Sequence, residues 1–380
     1  MNETQLVDIS QYVNIGTALS QRIEHLVEQE DFGPEDLAAL LQQAKTAGIH
    51  LEQDPRVQSL FSRFLADFET RKDQYSANSW RQLQYGWDKF TRWGNEQKLP
   101  TLPATAKTVE KYALAMSELM HRNSLGQLLW AIRTVHLKAG CNDPTATVAV
   151  KDSMKAVRRK KVESGEAIKQ ATPLRQAELD LLQKYWGGTD TVKAQRNLLA
   201  LNLAYETLTR KSELARIKVG DIEVMADGSG VITIPWTKTN NSGEPEVAPI
   251  TADVMNMIAD YLYINDIEWG SDGHLLRPLT RYGKLQKRAD TPLSSQAIDC
   301  IFSEAWDIVY PHRPALRNKT AFSGHSCRVG AAQDLLAAGY SIPGIMQSGR
   351  WKSEVMVLRY CRNIMAQEGA MFRMRQALSS

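Results

Sequence analysis

The stretch "GHSCRVGAA", residues 324–332, sets His325 and Arg328 three positions apart among small residues. At helical spacing both side chains fall on one side of a single turn. Two readings compete here. One is an ion pair beside a helix start. The other is a pair of potential cations facing one phosphate.

Three further stretches of the second half bear on the choice. "GRWKSEVMVLRYC" (349–361) carries Trp351 and, nine residues on, Tyr360. "TLTRKSELARI" (207–217) places Arg210 and Glu213 at i and i+3 of a helical face. "PWTKTNNSGE" (235–244) puts Lys238 at the end of a strand-like run, beside a turn. Taken singly, each has an ordinary structural meaning: a surface ion pair, a hairpin charge, a core tryptophan, a packed tyrosine.

The surrounding pattern is mostly helical. "GPEDLAALLQQAKTAG" (33–48) has proline and two acids in its first turn and a glycine stop, and Pro55 then breaks the pattern. "SANSWRQLQYGWDKFTRWG" (76–94) carries Trp80, Leu83, Trp87 and Phe90 as one helical stripe. Its opposite face holds Arg81, Gln82, Lys89 and Arg92. "TAKTVEKYALAMSELMH" (105–121) and "NSLGQLLWAIRTVHLKAG" (123–140) continue the pattern, the second turning Leu125, Leu128, Leu129, Ile132 and Val135 inward and leaving Asn123, Gln127 and Thr134 outside. The periodicity predicts a bundle of four or five helices over 56–161. Three short strand-like runs, 221–225, 230–236 and 245–250, follow later, separated by "DGSG" and "NNSGE" turns. They predict a small antiparallel sheet in an otherwise helical second half, which also holds a long basic loop at 277–290. The fold class expected is mainly α with a small antiparallel β-sheet.

With 380 residues the chain exceeds one ordinary core. We expect an acidic N-terminal arm (1–55), either a partner-binding segment or a packed cap, a helical domain (56–161), a linker (162–173) and a second domain (174–380). The net charge of +3 hides a division. Residues 1–55 carry ten acids against Arg22 and Lys45, a balance of −8, which leaves +11 for the remainder. A basic body suggests a polyanion partner, although unevenly spread solubility charge fits as well. The basic run Lys155, Arg158, Arg159, Lys160, Lys161 sits between the two expected domains. Cations favour helix C-termini, but the position also suits a segment lying along phosphates. No run of about eighteen apolar residues is present, so no membrane span is expected. The start "MNETQLVDIS" lacks the basic-then-apolar order of a secretory signal. The four cysteines form no C-x-x-C pair and no metal-ligand spacing. We therefore expect reduced thiols in a cytoplasmic protein with no metal and no other cofactor.

The ordered set resembles the signature of the tyrosine site-specific recombinases: an arginine followed by a glutamate, a hairpin lysine, an H-x-x-R box, a tryptophan, then a tyrosine. The resemblance runs over roughly 56–378 and is densest in 203–222 and 323–371; residues 1–55 lie largely outside it. It implies a helical core-binding domain and a mixed catalytic domain of the DNA breaking-rejoining fold, closing as a C-shaped clamp. It also implies Tyr360 as nucleophile, forming a 3′-phosphotyrosyl link, with Arg359 and Arg362 as sequence neighbours. Arg210 and Arg328 would neutralise the phosphorane, Lys238 would protonate the leaving oxygen, His325 and Trp351 would bond or pack the phosphate, and Glu213 would orient Arg210 or the histidine. The chemistry suits these residue types. A phenol has a pKa of about 10 and needs help to ionise. Extra charge on the pentavalent phosphate calls for fixed donors, and planar guanidinium forks supply them. The phosphotyrosyl bond conserves the energy of the broken linkage, so resealing needs no ATP.

The partner implied is double-stranded DNA, bound as a homotetramer on two sites with a dimer per site and a Holliday junction between them; no membrane and no small-molecule substrate are expected. Candidate DNA-reading residues are Arg81, Gln82, Asn123, Gln127, Arg158 and Arg159. Gln296, near the start of "SSQAIDCIF", joins them. The subgroup most resembled has an arginine there, suited to guanine, whereas glutamine suits adenine. The C-terminal "EGAMFRMRQAL" (368–378) sets Met371, Met374 and Leu378 on one stripe, which either folds back or docks on a neighbouring protomer. The alternatives are a type IB topoisomerase-like enzyme and a non-catalytic DNA-binding regulator on the same fold.

Overall fold

The computed structural model describes residues 32–234, 244–367 and 369–378. The chain divides into two compact units, Met1–Ile168 and Lys169–Ser380. The division falls inside the expected linker.

The first unit begins with α1 (Pro34–Thr46), whose entry is held by the Asp36 carboxylate accepting from the Gly33 amide at 2.9 Å. Helix α2 (Pro55–Thr70) is capped by Asp54, which accepts from the Arg56 amide. The two helices share one apolar core: Leu37, Leu40 and Leu41 meet Val57, Leu60, Phe61 and Phe64, with Ala139 and Cys141 closing it. Residues 32–54 are thus packed into the body of this unit, the second of the two alternatives for the arm over its described portion; 1–31 lie outside the described residues. Two of the acids in this stretch, Glu35 and Asp36, are exposed in the first turn of α1, while Leu37, Leu40 and Leu41 supply its buried stripe.

Four further helices complete the unit: α3 (Ala77–Gln97), α4 (Ala106–Leu119), α5 (Arg122–Lys138) and α6 (Val148–Glu163). The predicted stripes turn inward. Phe90 of α3 is fully buried and meets Tyr112 of α4 edge-on at 4.9 Å, with Leu125, Leu128 and Ile132 of α5 below. The basic run forms the last turns of α6, where Arg158 and Arg159 are exposed.

The second unit opens with α7 (Gln176–Trp186) and α8 (Val192–Glu206), followed by the one-turn helix α9 (Lys211–Leu214). The sheet is a meander of β1 (Ile222–Val224), β2 (Gly230–Ile234) and β3 (Glu246–Ile250), antiparallel throughout. Ile222 pairs with Ile232, which pairs in turn with Ala248, so the buried face alternates as the sequence predicts. Then come α10 (Ala252–Ile264), α11 (Ser295–Val309), α12 (Ser326–Ala337), α13 (Ile342–Gly349), α14 (Glu354–Gln367) and α15 (Ala370–Ala377).

Helix α12, which contains the opening stretch, runs between two cores. Cys327 belongs to the large cluster of α7, α8, α10, α11 and the sheet. Val329 and Ala332 belong to a second cluster with Ile345, Val357 and Tyr360. All eight residues from Ser326 to Gln333 are buried. A helix packed on every side needs small residues, and that explains the run of glycine and alanine. Gly330 marks the tightest approach: the Leu174 amide donates to the Ser326 carbonyl at 3.0 Å, and a Cβ on Gly330 would lie 1.8 Å from the Leu174 carbonyl oxygen.

Because that neighbour is backbone, Gly330→Ala is expected to displace the chain entering the second unit. Overpacking of this kind costs ~1–3 kcal/mol or more. Urea unfolding should show a clearly lowered midpoint, and an unchanged midpoint would contradict the packing described.

Candidate active site

Arg328 lies in the first turn of α12 and is 2% exposed. Burial, then the nearby Arg210 charge, push its pKa down to about 10, with Glu213 opposing; it stays a cation at neutral pH. Two carbonyls make that burial tolerable. Nη1 donates to the Leu208 carbonyl, and Nη2 donates to the Gly349 carbonyl at 2.9 Å. Both acceptors occupy special backbone. Leu208 adopts φ 48°, uncommon for a branched side chain, in the turn between α8 and α9. Gly349 ends α13, and a Cβ there would overlap the Trp351 ring at 2.1 Å.

The Trp351 indole joins the arginine to the tyrosine. The Arg328 guanidinium carbon lies 4.7 Å from the indole centroid, a cation–π contact. The Tyr360 ring meets the same indole edge-on at 5.9 Å and 71°. Tyr360 is 7% exposed, and its charge when ionised bears on Arg328. Its backbone carbonyl accepts from Gln333 Nε2 at 2.8 Å and Gln170 Nε2 at 3.1 Å, which ties α14 to α12 and to the start of the unit. Arg359 and Arg362 are exposed, on other faces of α14.

Arg210 caps α9. Glu213 accepts from the Arg210 amide at 2.9 Å and from Arg210 Nη1 at 2.6 Å. The Glu213 side chain is fully buried, and its second cation is Arg350, with Nη2 at 3.7 Å. Arg350 also reaches Glu246 at 3.0 Å and donates through Nη1 to the Thr207 carbonyl at 2.9 Å. Glu213 therefore holds two guanidiniums, the expected Arg210 and one the sequence reading did not single out. Three guanidiniums face two carboxylates, a local surplus of positive charge that favours an anion.

His325 sits at the N-cap of α12. Partial burial, then the charges of Arg328, Lys211 and Arg210, push its pKa below the usual imidazole value. The ring keeps an edge open to water, which limits the burial contribution; the three cations act in the same direction. The opening stretch thus contributes one permanent cation and one neutral imidazole. Lys211 is itself held by Asp299 at 2.7 and 2.9 Å. Lys238 lies outside the described residues, which stop at Ile234 and resume at Glu244.

Of the expected DNA-reading residues, Arg81, Gln82, Asn123, Gln127, Arg158 and Arg159 are exposed on the first unit, and Gln296 is exposed on the second. Asn123 and Arg158 line one open depression of about 390 Å³ together with Arg122, which the sequence reading passed over. Arg159 is instead within 3.7 Å of Glu163. On α15 and at the residue that caps it, Met371, Phe372, Met374 and Leu378 are exposed, so among the described residues nothing covers the apolar stripe. Arg350, Gln333 and Gln170 carry no periodic signal; their roles come from backbone carbonyls and carboxylates that only the fold brings near.

The phage integrase family model matches residues 173–367. The recombinase Cre of Escherichia phage P1 is 29% identical over 312 residues, covering 82% of this chain and 91% of the relative. An integrase/recombinase XerD homolog from Selenomonas ruminantium is 25% identical over 281 residues, 72% of this chain and 78% of the relative. Among solved structures, the Tn1549 transposon integrase in complex with circular intermediate DNA covers 80% of this chain and 94% of its own at a TM-score of 0.53 and 16% identity, a likeness of fold. Among the described residues no helix is long and apolar enough to cross a membrane. With the matched segment spanning Arg210, Glu213, His325, Arg328, Trp351 and Tyr360, the chain belongs to the phage integrase family, the tyrosine recombinases, enzymes that cleave and rejoin DNA.

Proposed function

We propose that this protein is a conservative site-specific recombinase that cuts and rejoins two duplexes at inverted-repeat sites, acting on DNA in the cytoplasm. The observation that carries the reading is the contact of both the Arg328 guanidinium and the Tyr360 ring with one indole, beside the Arg210–Glu213 pair. Tyr360 Oη attacks the scissile phosphorus, the bond to the 5′ oxygen breaks, and a 3′-phosphotyrosyl link forms. A guanidinium has five N–H donors. Arg328 commits two of them to the Leu208 and Gly349 carbonyls, which leaves three for phosphate oxygens. Arg210 offers a second fork, steadied by Glu213. His325, neutral, both donates and accepts, so it bonds a phosphate oxygen or takes the phenol proton and is not a third fixed charge. Lys238 gives its proton to the departing 5′ oxygen. Reversal by a new 5′-hydroxyl seals the exchanged strand through a Holliday junction.

The duplex is held mainly through phosphates, with Asn123, Arg158 and Gln296 among the groups facing it. The exposed apolar side chains of α15 favour docking on a neighbouring copy, in a dimer per site and a tetramer on two sites, over a monomeric topoisomerase. The assembled arginine–tyrosine site speaks against a non-catalytic regulator.

A site selected from random DNA and then nicked supplies the test. The wild-type protein is expected to form a covalent DNA adduct that Tyr360→Phe abolishes; binding without an adduct in wild type would leave only the regulator. Lys238→Ala should slow cleavage about 10²–10⁴-fold, the range of general acid catalysis, with DNA affinity nearly unchanged. Equal losses in both would remove the lysine from the acid role. For His325, the imidazole of the free protein should titrate below the ordinary 6.5, because partial burial and the charges of Arg328, Lys211 and Arg210 oppose its protonation. A bound phosphate, being negative, should raise the midpoint. NMR titration with and without DNA reads both, and a free-state midpoint above 6.5 would refute the assignment.

A further inference from the structure

We infer that Arg350 is a positioning residue for strand cleavage, fastening the base of the hairpin that carries Lys238 to the Arg210–Glu213 pair. The inference rests on the recombinase reading and on Lys238 as the acid.

Arg350 terminates α13 at φ 52° and ψ 45°. This left-handed C-terminal position ordinarily goes to glycine, which has no Cβ to strain. Lys98 holds the same left-handed position at the end of α3 with an exposed side chain, whereas the side chain of Arg350 is largely buried and partnered. It is 9% exposed and joins three segments that are distant in sequence. Nη1 donates to the Thr207 carbonyl, in the turn that also presents the Leu208 carbonyl to Arg328. Nη2 faces Glu213, the carboxylate that holds Arg210. Nε faces Glu246 at 3.0 Å. Glu246 is the first residue of β3 and pairs in register with Ile234, the last residue of β2, so the two form the base of the hairpin whose intervening sequence contains Lys238. Burial lowers the Arg350 pKa while Glu213 and Glu246 raise it, so its charge is balanced by the two groups it connects.

The planar fork is essential to this arrangement. One donated bond, to the Thr207 carbonyl, and two ion pairs, with Glu246 and Glu213, converge on one guanidinium whose charge is spread over its plane; an ammonium is a single point and cannot serve all three at once. The residue has no need to touch DNA. Its effect passes through the placement of a proton donor relative to the phosphate cations, where small displacements are costly.

The test compares Arg350→Lys and Arg350→Met with wild type on nicked target DNA, using single-turnover cleavage at saturating enzyme. Both variants are expected to cleave about 10- to 100-fold more slowly, the loss typical of groups that orient a reacting residue. DNA affinity should stay within about twofold. The distinguishing readout is a substrate with sulfur in place of the bridging 5′ oxygen, because a thiolate leaves without a proton. On it Lys238→Ala should recover, and the Arg350→Lys deficit should shrink about tenfold. Glu246→Gln, which leaves Arg350 in place, should show the same partial recovery and covers the case in which an Arg350 variant folds poorly. Wild-type cleavage by Arg350→Lys, or a deficit equal on oxygen and sulfur substrates in both Arg350→Lys and Glu246→Gln, overturns the inference. Failure of Lys238→Ala to recover removes the acid role and this inference with it. Absence of any adduct in wild type overturns the recombinase reading itself.

Discussion

The second unit is organised around one costly object, the buried guanidinium of Arg328. A cation withdrawn from water must find acceptors, and ordinary regular structure leaves no carbonyls free in the middle of a core. The chain provides two by ending elements on either side of it: the turn after α8, with Leu208 in left-handed geometry, and the end of α13 at Gly349. The small residues of α12 let four helices close around the arginine, and Gly330 lets the incoming backbone at Leu174 lie directly on that helix. Features that look unrelated in the sequence thus answer to one desolvation problem.

That solution has an electrostatic by-product. Arg328, Arg210 and Arg350 stand around Glu213 and Glu246, so positive charge is in excess where water is scarce. In such a setting an anion is bound strongly and an imidazole is kept neutral, which is the state of His325. The arginines are permanent cations, and the histidine is available for hydrogen bonding on either face. Trp351 completes the arrangement by contacting both Arg328 and Tyr360, so the Tyr360 ring is placed by packing and not by a charge of its own.

Much of this was legible from residue order. The stripes of Leu83 and Phe90, and of Leu125, Leu128 and Ile132, gave correct buried faces because a helix repeats every 3.6 residues. The meander followed from alternation and turn chemistry, with Ile222, Ile232 and Ala248 on one face. The acidic segment left two alternatives open: Leu37, Leu40 and Leu41 form an inward stripe, but the partner that covers them, the face of Val57, Phe61 and Phe64, is recognisable only once the helices meet. In α12 the periodic signal vanished for the opposite reason, since a helix buried on all sides has no polar face to contrast with.

The sequence by itself determined the helical framework, the three-stranded meander and the identity of the side chains suited to phosphate chemistry, because these depend on local periodicity and on the functional groups present. Tertiary structure alone decided that Glu213 is shared between Arg210 and Arg350, that Gln333 and Gln170 hold the Tyr360 carbonyl, and that residues 32–54 belong to the body of the first unit. The bonds of Gln333, Gln170 and Arg350 join positions 27 to 190 residues apart and are directed at backbone carbonyls and buried carboxylates. No spacing rule encodes such partners, because the acceptors come into reach only after the chain has folded.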